Sequence, residues 1–491
     1  MPMNAERAII DIGSNTLRLV IFDPPARAPV VLHNEKVTAR LGKGVAENGL
    51  LTRKAMDVTL KALRRFAKLL ELRDVRDVQT VATAAVRDAG NGGLFLEAVR
   101  ACGLSPRLLS GEEEALTSAA GIVGAFPGAK GVVADLGGGS LELVHVAGSR
   151  CERGASLPFG TLWLPQLRAV GPGTFARRVK RALVATEWHC TEGEALYLVG
   201  GSHRALARLA IHQLNWPLDD PHGFELSLEA AQHVCRSALH GGIPATLQGI
   251  SASRLAALPN TAALLSVLLR EICPSSVVFS AWGLREGLIY QRLDKAEQAK
   301  DPLIEGVGAF AESMGCPRET GAMVGQWIGD AAGTQDSAPV NLRPVASMLI
   351  LAAQPIEPNL RLAHALDWAL HKRWIGLEDT SRAMIAACVV GNSGRGEIPD
   401  ELARLASQSQ LHTAFTWGLA IRLCRRFSGL SPVVLANSAL TTESGELVLS
   451  VHPSFTALLN EGTEKDLRNL AEGLGLQPCV RLRNSESELA A

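Results

Sequence analysis

The chain carries no excess of either charge, with 49 Lys and Arg against 49 Asp and Glu in 491 residues. Whole-chain electrostatics therefore offer no attraction for nucleic acid or an anionic membrane, and neither is expected as a partner. The local cluster Arg177, Arg178, Lys180 and Arg181 reads either as the solvated face of a helix or as a contact for a polyanion. A disulfide framework is also missing. Nine scattered cysteines are an odd number with no CxxC pair, so reduced, mostly buried thiols are expected. No secretory leader is legible, because MPMNAERAIID runs almost directly into a strand pattern. No apolar run approaches the ~18 residues that span a bilayer. A cytoplasmic protein is the expectation.

What the chain does have is apolar material for sizeable cores, with 47% hydrophobic and 20% charged residues. A prior of roughly 150 residues per domain suggests about three domains. The most informative stretch is VVADLGGGSLELVHV, residues 132–146, which repeats an earlier phrase, IIDIGSNTLRLVIF, residues 9–22. With one constant offset, Asp11 falls on Asp135, Gly13 on Gly137, Leu17 on Leu141, Leu19 on Leu143 and Val20 on Val144. Each copy predicts a β-hairpin with an acid near the end of its first strand and a tight loop of small residues.

Such loops turn successive N–H groups into one concavity, which favours an anion, and glycine lets the backbone approach closely. Gly137, Gly138 and Gly139 form the second loop, while Ser14, Asn15, Thr16 and Ser140 add side-chain donors. Asp11, Asp135 and Glu142 supply the hard oxygens that Mg²⁺ prefers. A single GGG is ordinary turn chemistry, but two matching acid-plus-turn units point to a magnesium phosphate held between two loops.

In chain order, a strand is predicted over 30–37, then a glycine-punctuated loop over 41–49. A helix starts near Thr52, with Ala55, Val58, Leu63, Phe66 and Leu70 at helical spacing. Strands at 77–82 and 106–109 flank a helix over 93–102. This βββαβαβ order resembles a ribonuclease H-like half-domain. Ser110 reads as the N-cap of a helix whose first turn holds Glu112, Glu113 and Glu114. These acids either complement the helix dipole or lend one carboxylate to the cleft of the second loop.

Further on, Gly160 and Thr161 predict a turn with another hydroxyl donor. A basic helix is expected over 175–188, a strand over 196–199 ending in GGS, and helices over 228–239 and 260–272 with Arg254 between them. A last strand near Val277 leads into a helix at Leu284. Ligands of open α/β folds bind beyond strand ends, so these glycine-rich ends are expected to face one crevice. Past a charged exit at 294–302, helical spacing dominates: 345–353, 360–374, 380–390, 401–411 and 413–427. A small strand pair is expected at 433–436 and 446–452, and frayed chain from 485. An all-helical third domain thus covers 301–491.

Taken in order, DIGSNTLRLV, TAAVRDA, SGEEEA, DLGGGSLELV, LVGGS and WGLREGLIY resemble the exopolyphosphatase and guanosine pentaphosphate phosphohydrolase family, over roughly residues 8–290. That family belongs to the sugar kinase, actin and chaperone ATPase superfamily. The resemblance implies an α/β fold of two ribonuclease H-like (actin-like ATPase) domains, here 1–118 and 119–300, followed by a mostly α-helical C-terminal domain, 301–491. It implies Mg²⁺-dependent hydrolysis of terminal phosphate from inorganic polyphosphate, with guanosine pentaphosphate as the alternative substrate, and a homodimer. A polyphosphate or nucleotide sensor that has kept the cleft only for binding is the alternative of another class. By the same resemblance Glu114 is the catalytic acid and Asp135 and Glu142 are metal-linked. Asn15, Arg87 and Thr161 contact phosphate, and Arg254 is a basic substrate contact, although ALPNTAALL follows it where the family usually has glycines.

Overall fold

The computed structural model describes residues 6–329, 331, 341–394 and 397–483; the fraying expected from residue 485 lies outside them. The chain divides into two compact units, Met1–Pro302 and Leu303–Ala491.

The first unit contains two sheets. In the first, strands β1 (Arg7–Ile12), β2 (Thr16–Asp23), β3 (Val30–Thr38), β4 (Asp77–Ala82) and β5 (Pro106–Leu108) lie in the order β3-β2-β1-β4-β5. Strand β1 pairs antiparallel with β2 and parallel with β4. Its Ala8, Ile9, Ile10 and Ile12 are all buried, the near-continuous apolar pattern of a strand covered on both faces.

The second sheet repeats that plan with β6 (Lys130–Leu136), β7 (Leu141–Ala147), β8 (Arg150–Leu157), β9 (Ala195–Val199), β10 (Glu225–Ser227) and β11 (Ser276–Phe279). Their order is β10-β11-β9-β6-β7-β8, with β10 an added antiparallel edge. The sequence repeat is thus a repeat of topology: β6, β7, β8, β9 and β11 take the places of β1 to β5.

Two helices lie against these sheets and carry site residues. Helix Gly111–Ala125 starts at Ser110, whose Oγ accepts from the Glu113 N–H at 3.1 Å while Glu113 Oε2 accepts from the Ser110 N–H at 2.8 Å. Helix Leu284–Tyr290 packs on it backbone to backbone. A Cβ on Gly287 would lie 1.8 Å from Thr117 O, and one on Gly121 2.3 Å from Gly283 O. No side chain fits at either position. On its other side Leu288 and Ile289 join Ile9, Val20 and Val81 of the first sheet, so this short helix ties the sheets together.

Several local expectations are corrected. Residues 41–49 form a helix, Leu41–Asn48, where a loop was predicted; Gly42 donates its N–H to Ser14 O at 2.7 Å, a tertiary contact that local glycine content hides. The helix predicted over 260–272 begins at Ala252, which places Arg254 in its first turn. Pro259 sits inside it, because burial of Leu255, Leu258, Ala262 and Leu265 in the second sheet's core outweighs one lost hydrogen bond. By length and composition alone this helix could cross a membrane, which corrects the reading that no such run exists; its charges, Arg254, Arg270 and Glu271, lie near its ends.

In the second unit, the helix predicted over 401–411 is a 3-10 turn, Asp400–Arg404, because Ser407 caps a new helix, Gln408–Ser428. Residues 433–436 are helical within Pro432–Ala436, with the proline at a first-turn position, and not a strand. The strands here are β12 (Ser438–Glu443), β13 (Glu446–Val451) and β14 (Gln477–Leu482), a three-stranded sheet in an otherwise helical unit.

Candidate active site

The two hairpin loops are built alike and touch. Gly13 N–H donates to Thr16 O at 3.1 Å, and Gly137 N–H donates to Ser140 O at 3.0 Å. Each loop is braced by the segment that follows its third strand. Arg40 and Gly42 donate to Asn15 O and Ser14 O, while Thr161 and Leu162 donate to Gly137 O and Gly138 O. A Cβ on Gly138 would stand 2.9 Å from Ser14 Cβ, and one on Gly139 would stand 3.0 Å from Ser14 Oγ. Ser14 and Ser140 are buried and Asn15 is exposed.

Gly160 sets the spacing of the second loop, since a Cβ there would lie 2.2 Å from Gly139 C and 2.4 Å from Gly138 O. Gly160→Ala must push the loop away by a large fraction of an ångström. We expect turnover to fall by about 10²-fold in a folded protein, the usual cost of such a misplacement, as read by steady-state kinetics beside a melting curve.

The first turn of helix Gly111–Ala125 separates its three acids. Glu112 is exposed, Glu113 is occupied by the cap, and Glu114 points into the cleft with its side chain 13% exposed. Arg87, in the short helix Ala84–Arg87 after β4, donates from Nη1 to Glu114 Oε2 at 3.0 Å and to Leu109 O at 3.2 Å. Burial pushes the Glu114 carboxyl up to about 7, Arg87 opposes the rise, and Asp135 and Asp11 add to it.

The remaining acids sit at the strand ends. Glu142 is buried and accepts from Ser156 Oγ at 3.0 Å; burial, then the Glu114 and Asp135 charges, hold it well above the ordinary carboxylate range. Asp135 accepts from Ser118 Oγ. Burial raises both Asp135 and Asp11, with Arg204 and Arg285 among the charges pulling Asp135 down and Arg285 and Arg18 pulling Asp11 down.

Three of these cations escaped the sequence reading. Burial and mutual repulsion lower Arg18 and Arg204 to about 10, with Arg285 the largest repelling charge on each. A signal for Arg18 was present. In the ladders Asp11 faces Arg18 just as Asp135 faces Glu142, so the repeat places a guanidinium in one hairpin where the other has a carboxylate. Arg204 and Arg285 follow the glycines of LVGGS and WGLREG, and Arg254 lies over that region, its Nη2 2.8 Å from where a Gly201 Cβ would be. The structure therefore gathers Asp11, Ser14, Asn15, Arg87, Glu114, Asp135, Gly137, Gly138, Gly139, Ser140, Glu142 and Thr161 around two touching loops, with Arg254 beside the next strand end.

The acids and cations lie in one region yet leave each other incompletely compensated. Four carboxyls are raised and two guanidiniums lowered, the condition of groups stripped of water without full partners. No three His, Cys, Asp or Glu side chains among the described residues form a group that could hold a metal ion. The carboxylates of Asp11, Asp135 and Glu142 therefore do not by themselves close a metal site made of protein alone.

The model of the Ppx/GppA phosphatase family matches residues 20–296, more than half of the chain. The chain belongs to this family. A Ppx-GppA enzyme of Aquifex aeolicus is similar over 59% of this chain and 99% of its own, with 24% identity and a TM-score of 0.51. An exopolyphosphatase of Cytophaga hutchinsonii is similar over 58% and 97%, with 22% identity and a TM-score of 0.51. These likenesses give the Ppx/GppA fold, mixed α/β sheets with helices, as the order of the six motifs implied.

Proposed function

We propose that this Ppx/GppA phosphatase is an exopolyphosphatase, which hydrolyses the terminal phosphoanhydride of inorganic polyphosphate and releases orthophosphate. One observation carries the reading: a mostly buried carboxylate, Glu114, clamped by Arg87 at 3.0 Å beside two touching glycine loops. The two sheets are read as two ribonuclease H-like domains that close on the substrate.

The N–H groups of residues 14–16 and 138–140, with Ser14, Asn15, Ser140 and Thr161, hold the terminal phosphoryl group. Arg254 meets the chain behind it. Glu114 orients a water for in-line attack and takes up its proton, a role suited to a carboxyl near neutral pKa. Arg87 fixes that carboxylate and stabilises charge spreading over the equatorial oxygens. Phosphoryl transfer depends mainly on positioning and electrostatics, so no covalent nucleophile is needed. Asp11, Asp135 and Glu142 are the residues that would hold Mg²⁺, which when bound neutralises phosphate oxygens. A cytoplasmic homodimer completes the proposal.

The test is a time course of long polyphosphate with Mg²⁺, resolved by chain length, run beside guanosine pentaphosphate at equal concentration. Steady orthophosphate without mid-sized fragments is expected, with faster release from polyphosphate. Faster release from guanosine pentaphosphate would reassign the substrate, and tight binding of both without release would make the protein a sensor.

A further inference from the structure

The second unit contains a cavity of about 950 Å³ among helices Leu342–Ala352, Arg361–Leu370, Asp379–Ser393 and Gln408–Ser428. Four guanidiniums line it, those of Arg361, Arg422, Arg425 and Arg426, and no Asp or Glu among the described residues does. Three of them stand at i, i+3 and i+4 on one helix, an arrangement that like-charge repulsion disfavours. The fold accepts that cost and adds Arg361 from another helix.

Compensation by the protein is small. Asp466, itself buried, takes Arg422 Nε on one oxygen at 3.0 Å and Arg426 Nε on the other at 2.5 Å. Arg425 donates to the side-chain oxygens of Asn392 and Gln354, and Arg361 to Ile356 O and Gln354 O, at 2.7 Å each. Among the described residues one carboxylate thus stands against four guanidiniums, and neutral acceptors hold the others in fixed orientation. Burial and then Arg361 and Arg422 bring Arg425 down to about 10, which reports the same excess of positive charge.

We propose that this cavity is a second binding site, separate in sequence from the phosphatase motifs, for an anion bearing at least two phosphoryl groups. Arginine suits it because the guanidinium fork matches phosphate oxygens in pairs and stays charged when partly buried. Each of these forks has spent only some of its five N–H donors on protein. The site binds and does not hydrolyse, since its lining has no carboxylate or imidazole to direct water. A polyphosphate segment and a nucleoside polyphosphate share this chemistry.

The test is protection of arginines in the full-length protein from phenylglyoxal, mapped by peptide mass spectrometry. Inorganic tripolyphosphate and guanosine triphosphate serve as probes, with sulfate at matched ionic strength as control, all without Mg²⁺. Protection of Arg361 and Arg425 by either probe, at concentrations where sulfate gives none, supports the site, and the better probe names the source. Arg426→Gln, which leaves Arg422 on the buried Asp466, should raise the probe concentration needed by about tenfold or more, the worth of a charged hydrogen bond, in a protein whose melting curve shows it folded. Absence of protection, protection equalled by sulfate, or an unchanged Arg426→Gln protein would overturn the proposal. None of these readouts depends on hydrolysis, so an inactive cleft would not imitate their failure.

Discussion

Glu114→Gln should keep its affinity for polyphosphate and lose about 10²- to 10⁴-fold in turnover, the usual contribution of a positioned general base. The amide oxygen can still accept from Arg87, so the clamp and the fold survive. What disappears is the ability to take a proton. Because the replaced carboxyl is buried and raised to about 7, its loss should leave the melting temperature unchanged or higher. Below that pKa the carboxyl holds a proton and cannot activate water; above it the reactive carboxylate dominates. The wild-type kcat/KM should therefore climb through about pH 7 and level off, and this limb should be missing from the residual activity of the variant. Titration calorimetry gives the affinity and phosphate release gives the rate. Near-normal turnover would refute the role given to Glu114.

Arg87→Gln is expected to be at least as damaging, with a loss of about 10³- to 10⁵-fold, as for arginines that meet the transition state in related phosphoryl-transfer enzymes. It should also move the pH limb. Arg87 is the strongest influence lowering the Glu114 carboxyl, so its removal leaves burial and the neighbouring acids unopposed, and the rise in kcat/KM shifts to higher pH. Arg87→Lys keeps the charge without the planar fork. It should return the limb toward its wild-type position while recovering only part of the rate. Combined with Glu114→Gln, the second change should cost far less than it does alone, because the pair acts as one unit. Additive losses would separate the two residues.

The legibility of the site followed the range of the interactions. A hairpin is written in a dozen consecutive residues, so both loops could be located and superposed from sequence, including the acids at their strand ends. The Ser110 cap is equally local. Which of Glu112, Glu113 and Glu114 enters the cleft is not, because any of the three could complement a helix dipole. The capping box removes Glu113, and the salt bridge from Arg87, far back in the chain, selects Glu114. Arg18 was overlooked because on its own strand it is one exposed-looking polar residue; only the ladder shows it opposite Asp11. The helix boundary at Ala252 failed for a related reason. Local rules stop a helix at proline, whereas the core on both sides of Pro259 keeps it going.

By itself the sequence determined the repeat, the hairpins, the capped helix and the motif order that marks the family, since each is encoded by spacing over a few residues. Tertiary structure alone decided that the two loops meet, that Glu114 is clamped by Arg87, and that four arginines surround a cavity in the second unit. Those facts depend on sheets, glycine-to-glycine helix contacts and buried charges that join distant parts of the chain. No local periodicity records how such parts come together, because packing selects among arrangements that leave the same pattern in the sequence.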